Sequence, residues 1–190
     1  MVQKKILLLF LVLSMTSVVC SQIKVNEEDP FDGILGLRWG MRIELAINKL
    51  ENIGLSSWVE SADYRIVCLH KTSWNGILYD AVVLEYYISN KQNKYLREIG
   101  FLKFCDSAEK AKSIREDIAI SLKLTYGSDA LREDVGDNGF KCYEVREKVG
   151  EGITVNRIDL FVSSKYSVVI KYNGAFEAAR AAYNDDNNRW

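Results

Sequence analysis

Apolar residues recur at steps of three and four in two segments of the chain, which is the period of an amphipathic helix. The first segment spans residues 43–53 and is followed by Gly54, a residue type that often ends helices. The second follows Asp106, which we predict to be the N-cap, and ends at Tyr126. Its other face, which includes Arg115, is charged and is therefore expected to face solvent.

Between and after these helices, segments rich in β-branched and aromatic residues are separated by turn residues, which predicts strands. Asn75-Gly76 is typical of a two-residue hairpin turn, and residues 128–139 are polar and predict a loop. A short helix is predicted over residues 175–183. The predicted strands are Tyr64–Lys71, Ile77–Ser89 with a bend near Asp80, Tyr95–Cys105, Phe140–Lys148, Ile153–Val162 and Tyr166–Tyr172.

Read in order, the elements predict an α+β protein built from two tandem α-β-β-β units, over residues 34–105 and 106–183, with the short helix closing the second unit. Strands joined by short turns pair in antiparallel fashion. One helix and three strands are too few to bury both faces of a sheet. We therefore predict one mainly antiparallel sheet, formed by both units, with the helices on one of its faces.

The N-terminal segment has the layout of a secretory signal. Two lysines precede an apolar run over residues 6–19, which is shorter than the roughly 20 residues that a helix needs to span a bilayer. Cleavage after Ser21 would make residues 1–21 a signal peptide; the alternative is lipidation of Cys20. We expect an exported protein, periplasmic or secreted, or lipid-anchored if Cys20 is modified.

Two polar stretches flank the predicted domain. Residues 22–33 are acidic and contain the single proline, Pro30, so we predict a leader outside the fold. Residues 184–190 are predicted to be a tail that is too polar to pack. The α+β domain is therefore predicted over residues 34–183.

Charge and histidine content exclude several function classes. The chain has 25 Lys and Arg against 26 Asp and Glu, a balance that argues against a general nucleic-acid binder. His70 is the only histidine, so a multi-histidine metal site is excluded. The acidic residues of 129–138 do not have the spacing of a calcium-binding loop, and no phosphate-binding or dinucleotide motif occurs. We predict no metal site and no cofactor.

The cysteine count becomes odd once residues 1–21 are removed, because Cys68, Cys105 and Cys142 remain. An exported protein can oxidise its thiols, but three cysteines leave at least one unpaired within a chain. Buried free thiols that behave as small apolar residues are the other possibility, and the sequence leaves the two open.

The segment Gly36-Leu37-Arg38-Trp39-Gly40-Met41, followed by Glu44 and Leu50, resembles the opening of small exported bacterial proteins. It is similar to uncharacterised secreted proteins of Bacteroides-like bacteria, whose tandem helix-plus-sheet layout resembles the β-lactamase-inhibitor-protein fold. A shorter stretch is similar to the small lipoprotein of the outer-membrane barrel-assembly machine. The resemblance implies a fold and a location, but no catalytic residue. Arg42 replaces the expected Ser or Thr cap, so the first helix should lack a side-chain cap. Trp39 is expected to be a core anchor.

A catalytic Cys-His pair is disfavoured by spacing. Cys68 and His70 lie two residues apart on a predicted strand, which separates them by roughly 6.5 to 7 Å. A thiol–imidazole hydrogen bond needs about 3 Å. We predict no catalytic residue and expect His70 to be exposed at a strand end.

Aromatic side chains on or beside the strands are the remaining candidate for function, because aromatic residues are enriched in protein-recognition surfaces. The competing interpretation is that tyrosine is simply a good strand former. The candidate interaction surface consists of Trp58, Trp74, Tyr79, Tyr87, Tyr143 and Tyr172.

These observations favour an exported, non-enzymatic binding module of a bacterial cell envelope, with a protein or another envelope component as its partner. One alternative is an inhibitor or partner of an exported enzyme that binds through the tyrosine-bearing sheet face. Another is a weak hydrolase that uses Cys68 or a pair of carboxylates.

Overall fold

The computed structural model of the chain describes residues 34–61, 63–136, 139–150, 153–163 and 165–187. The predicted signal peptide and leader lie outside these residues. The helices and strands, in chain order, are α1 (Ile43–Asn52), β1 (Trp58–Ser61), β2 (Arg65–Cys68), β3 (Thr72–Trp74), β4 (Ile77–Tyr79), β5 (Ala81–Ile88), β6 (Lys94–Phe104), α2 (Ala108–Tyr126), β7 (Leu131–Val135), β8 (Lys141–Gly150), β9 (Ile153–Val162), β10 (Ser167–Asn173) and α3 (Ala175–Asn187).

Eight of these strands form one antiparallel sheet in the order β1-β2-β5-β6-β10-β9-β8-β7, and β3 and β4 form a separate hairpin. Helices α1 and α2 are each followed by four strands of the large sheet. The last strand of each group, β6 or β10, pairs with the other at the centre. The predicted α+β class and mainly antiparallel sheet are confirmed, whereas the internal duplication stays a prediction.

The two faces of the sheet differ in chemistry because successive strand residues point to opposite sides. One face, which we call the helical face, carries Leu84 and Ile99 and packs in the main core with buried residues of α1 and α2. The other, which we call the open face, carries Val83, Lys171 and Asp159.

Helix α3 departs from the predicted arrangement, because it packs on the open face. Its buried residues Ala178 and Ala182 contact Tyr95, next to the half-buried Tyr87. These tyrosines alternate along β5 and β6 with residues of the main core, so they point away from that core. The small alanine side chains let the helix lie close to the tyrosine rings and cover this end of the open face.

The predicted polar tail is wrong for residues 184–187, because α3 continues to Asn187, whereas residues 188–190 lie outside the described residues. Asp185 accepts hydrogen bonds at 2.7 Å from Ser89 Oγ and from Asn93 Nδ2, and Asp186 accepts one from the Asn90 backbone at 2.8 Å. These contacts tie the end of the helix to the turn between β5 and β6.

The segment around Trp39 packs as predicted, since the partly buried indole lies against the main core. It also covers Gly174, where a Cβ atom would lie 2.2 Å from Trp39 Cγ. A glycine is therefore required where β10 joins α3. Gly40 has a φ of 74°, and a Cβ atom there would lie 2.8 Å from the backbone oxygen of Glu177.

Three strands were not predicted, and one of them, β3, lies between the predicted strand Tyr64–Lys71 and the Asn75-Gly76 turn. Strand β1, Trp58–Ser61, lies in a stretch read as loop, and β7, Leu131–Val135, lies in the predicted polar loop 128–139. Both are edge strands whose residues are mostly exposed, so neither has the apolar alternation of a buried strand. The predicted strand Ile77–Ser89 is divided at Asp80, where the chain leaves the hairpin and enters the sheet.

Details of the helices confirm some predictions and correct others. Arg42 makes no side-chain cap for α1, as expected. Helix α2 is capped by Ser107 rather than Asp106, because the Ser107 hydroxyl accepts from the Lys110 backbone at 3.3 Å. Arg115, expected in solvent, is buried and donates to the Lys141 carbonyl at 3.0 Å.

Candidate functional site

The six predicted aromatic interaction residues do not form one surface. Trp74, Tyr79, Tyr143 and Tyr172 are buried to 6% exposure or less, on the helical side of the sheet. The Trp74 indole donates to the Tyr172 hydroxyl at 2.9 Å and stacks on Phe101. These side chains therefore build the core and cannot contact a partner at the surface.

The other two predicted aromatic residues are partly buried and lie far apart in the sheet. Trp58 begins the edge strand β1 and donates to the Leu55 carbonyl at 3.0 Å. Tyr87 lies on the open face beside α3, with the Arg97 guanidinium 5.1 Å from its ring centre.

The Cys68 thiol is in a structural position. It is fully buried at the end of β2 and donates to the Ser56 carbonyl at 2.9 Å. Burial raises the pKa of the Cys68 thiol, the reverse of what activates a cysteine nucleophile. His70 is exposed just beyond the strand. Cys68, Cys105 and Cys142 are all free thiols in this structure.

The open face carries two pairs of like charges, directly opposite each other on neighbouring strands. Glu85 of β5 faces Glu98 of β6, and Glu144 of β8 faces Asp159 of β9. Like charges opposite each other destabilise a sheet. Both pairs lie on parts of the open face that are half-buried or buried, where water screens them poorly.

The first pair is compensated by two cations. Arg65 Nε lies 2.7 Å from Glu85 Oε1, and Lys171 Nζ lies 2.7 Å from Glu98 Oε1 and 3.6 Å from Glu85 Oε1. Burial raises the pKa of Glu98, and the hydrogen bond from Lys171 opposes this shift without cancelling it. Glu98 is only 5% exposed, so its ion pair with Lys171 is largely desolvated.

In the second pair only Glu144 has a direct ion pair, and the Asp159 carboxylate is attracted by Lys171 and Arg146 at longer range. Arg146 Nη2 lies 2.6 Å from Glu144 Oε2, whereas among the described residues no basic nitrogen lies within 4.0 Å of Asp159. Asp159 accepts one hydrogen bond, at 2.5 Å from Asn156 Nδ2 to Oδ1. Burial raises the pKa of Asp159, and the Asn156 hydrogen bond offsets only part of that shift.

A cavity of about 490 Å³ lies beside the second pair. Strands β8, β9 and β10 form its floor, and the chain between β7 and β8 contributes to its wall. Its lining combines aromatic, apolar and charged groups: Phe140, Cys142, Glu144, Asp159, Phe161 and Lys171. A cavity of this size accommodates a small organic molecule or one side chain of a partner.

Helix α3 limits the site on its other side. Arg157, 6% exposed, forms a two-point ion pair with Glu177 of α3 at 2.8 and 2.9 Å. Its Nε also donates to Glu147 at 2.6 Å. Burial alone would raise the pKa of Glu177, but the hydrogen bonds from Arg157 outweigh it and lower that pKa. This contact fixes the start of α3 against β8 and β9.

Sequence reasoning did not find this site. Glu144, Asp159 and Lys171 are separated along the chain, and only the pairing of β8, β9 and β10 brings them together. A signal was present: charged residues at these positions interrupt strands that are otherwise apolar on alternate positions.

Comparisons of this chain with protein-family models, with curated proteins and with solved structures find no match. Within the described ranges, no group of three or more His, Cys, Asp or Glu side chains is arranged to hold a metal ion. No helix in the part of the chain that the structure describes has the length and apolar character to cross a membrane.

Proposed function

We propose that this chain is an exported, non-enzymatic binding module of a bacterial cell envelope, and that it holds its ligand on the open face of the sheet. The observation that carries the proposal is the placement of two like-charge pairs on that face, one of which lacks a full set of counter-charges and borders a cavity.

Stability alone does not explain these charges. Four carboxylates lie on the strands β5, β6, β8 and β9, and a sheet gains more from apolar or oppositely charged cross-strand pairs. Binding sites instead combine apolar walls with a few polar groups that orient the ligand. The cavity beside Asp159 has this combination, because Phe140 and Phe161 line it together with Glu144 and Lys171.

The environment of Cys68 supports a non-enzymatic role. A cysteine nucleophile needs a neighbouring base and a lowered pKa. The Cys68 thiol is instead fully buried, its pKa is raised by burial, and it donates to a backbone carbonyl. The alternative of an inhibitor that binds through a tyrosine-bearing face receives no support from Tyr79, Tyr143 and Tyr172, because they are buried.

The export part of the proposal rests on the sequence of residues 1–21, where two lysines precede an apolar run and small residues. It is tested by intact-mass measurement of the chain isolated from the producing cell. We expect a protein that begins at Gln22, or a lipid-modified one that begins at Cys20. An unprocessed chain that still begins at Met1 would contradict export.

The binding part is tested by affinity capture. A C-terminally tagged chain is isolated from the producing cell, with its N-terminus as that cell processes it, and is then used to capture its partner from envelope fractions. Glu144→Lys reverses a charge on the open face, and Asp117→Lys reverses an exposed charge on α2. We expect the same envelope component to bind the unchanged protein and the Asp117 variant, and to be lost from the Glu144 variant.

Circular dichroism of both variants shows whether they keep the fold. Equal capture by the two folded variants would contradict a role for the open face. Loss of the component from the Asp117 variant alone would place binding on the other side of the sheet.

A further inference from the structure

The cavity on the open face is lined by two carboxylates, Glu144 and Asp159, and by one ammonium group, that of Lys171. Three of the four neighbouring carboxylates each have a basic partner: Glu85 has Arg65, Glu98 has Lys171, and Glu144 has Arg146. The fourth, Asp159, has none within 4.0 Å among the described residues. Lys171 is its cross-strand neighbour but extends to Glu98 instead.

The uncompensated carboxylate faces a space that can hold a ligand. Asp159 lines the cavity of about 490 Å³ and is only partly exposed. Lys171 and Arg146 attract the Asp159 charge from a distance, but burial outweighs them, and a cation bound directly to the carboxylate would offset the remaining penalty. The directly opposed Glu144 adds negative potential at the same place.

The geometry of Asp159 favours an ammonium group over other cations. Oδ1 accepts the hydrogen bond from Asn156, so Oδ2 is the oxygen without a hydrogen-bond partner among the described residues. A single acceptor suits the compact point charge of an ammonium group, whereas a guanidinium binds best to both oxygens of a carboxylate. A metal ion would need more ligands than the described residues assemble.

The other residues that line the cavity indicate which chemical group would carry the cation. Phe140 and Phe161, both half-buried, lie in the same cavity. These groups favour an apolar stem next to the charged group, because burying apolar surface on binding is favourable.

We propose that this cavity binds a primary ammonium group carried on an apolar stem, with Asp159 as the acceptor. This inference rests on the proposed function, since it specifies the ligand chemistry of the open face. The ammonium group can belong to a free amine or to a lysine side chain of a partner peptide.

The test is a titration followed by backbone amide NMR shifts, with two probes and a neutral control for each. The free amine is phenethylamine, and its control is 2-phenylethanol. The peptide is acetyl-Gly-Lys-Gly-amide, and its control is the same peptide acetylated at the lysine Nζ. We expect saturable shifts in residues 140–144 and 159–163 with one or both ammonium probes, and none with the neutral controls.

The variant Asp159→Asn keeps the side-chain shape and the acceptor for Asn156, but it removes the charge. We expect it to lower the affinity for the ammonium probe at least tenfold, or about 1.4 kcal/mol. Asp117→Asn, the same substitution at an exposed position of α2, should leave the affinity unchanged.

Binding by phenethylamine alone identifies a small amine as the source of the ammonium group, and binding by the peptide identifies a lysine. No saturable shift with either probe, equal shifts with the neutral controls, or full affinity in the Asp159 variant would overturn the inference. The proposed function would still stand if the Glu144→Lys variant continued to lose its envelope component, so the two failures are distinguishable.

Discussion

Asp159 shows how one residue can be unfavourable for folding and useful for binding. It lies on β9, directly opposite Glu144, and accepts one hydrogen bond from the neutral Asn156 side chain. Burial raises the pKa of Asp159, because the charged form has lost part of its hydration.

We predict that Asp159→Asn raises the free energy of unfolding at pH 7, by on the order of 1 kcal/mol, because it removes a poorly compensated charge. The effect should depend on pH. The folded state binds the Asp159 proton more tightly than the unfolded state, so this carboxyl favours folding below its ordinary pKa of 3.8. That contribution is lost as the pH rises through the raised pKa.

Urea unfolding at several pH values measures this effect. The difference between the Asp159 variant and the unchanged protein should widen from acid to neutral pH. A variant that is less stable than the unchanged protein at pH 7 would show that Asp159 is well compensated, contrary to the geometry described above.

Gly174, unlike Asp159, is required for folding, because the packing around it leaves no room for a side chain. A Cβ at this position would lie 2.2 Å from Trp39 Cγ. We predict that Gly174→Ala lowers the free energy of unfolding by about 1 to 3 kcal/mol, because the indole or the strand must shift.

Gly100→Ala is the matched control for this prediction. The nearest atom to an added Cβ at Gly100 lies 3.7 Å away, which is ordinary contact. Alanine in a strand interior should be neutral or slightly stabilising there. Equal thermal unfolding temperatures for the two variants would mean that the Trp39 contact does not constrain the fold.

At the scale of elements, helix α3 is held by polar contacts at both ends and by alanines between them. Arg157 pairs with Glu177 at its start, and Asp185 accepts hydrogen bonds from the β5–β6 turn at its end. Ala178 and Ala182 pack on Tyr95 in the middle. The helix therefore closes one end of the open face and leaves the cavity at the other.

We predict that Glu177→Gln lowers the free energy of unfolding by about 1 to 3 kcal/mol at pH 7, because Arg157 is buried and loses a charged partner. The pKa of Glu177 is lowered in the folded state, so its contribution is present above its ordinary pKa of 4.5. The contribution disappears as the pH falls through the lowered value.

Unfolding at neutral and acid pH, together with amide exchange in residues 175–187, measures this contribution. Glu51→Gln, at an exposed position of α1, is the control. Undiminished protection of α3 in the Glu177 variant would show that the alanine–tyrosine contact holds the helix without the ion pair.

Elements with a strong apolar pattern were predictable, and edge elements were not. Helix α1 and the strand Ile153–Val162 lie where the period indicates them. Strand β7, Leu131–Val135, was missed because its Arg, Glu and Asp residues face solvent at the sheet edge. Helix α3 was predicted too short because the residues that extend it are polar and bind the β5–β6 turn.

The candidate site was the part least accessible to sequence reasoning. Tyrosines on strands indicated a surface, but Tyr79, Tyr143 and Tyr172 are buried in the core. Which side of a strand faces the core depends on register and on three irregularities, between Glu85 and Tyr86, between Val145 and Arg146, and between Lys148 and Gly150. Those features are set by tertiary pairing, which a single sequence does not reveal.

At the scale of the whole molecule, the two sides of the sheet have different roles. The helical face is covered by α1 and α2 and contains most of the large buried side chains. The open face is covered at one end by α3 and carries charged groups around a cavity at the other. In a sheet with one packed face and one polar face, the polar face is the one that remains accessible to a partner.

The most direct test of this account is photo-crosslinking in the producing cell, with a photoreactive phenylalanine derivative placed at one position at a time. Phe161 lines the cavity on the open face, and Leu124 is 83% exposed on α2. The account predicts a specific crosslinked species from position 161 and none from position 124. A crosslink from position 124 alone would place the partner on the helical side and contradict the account.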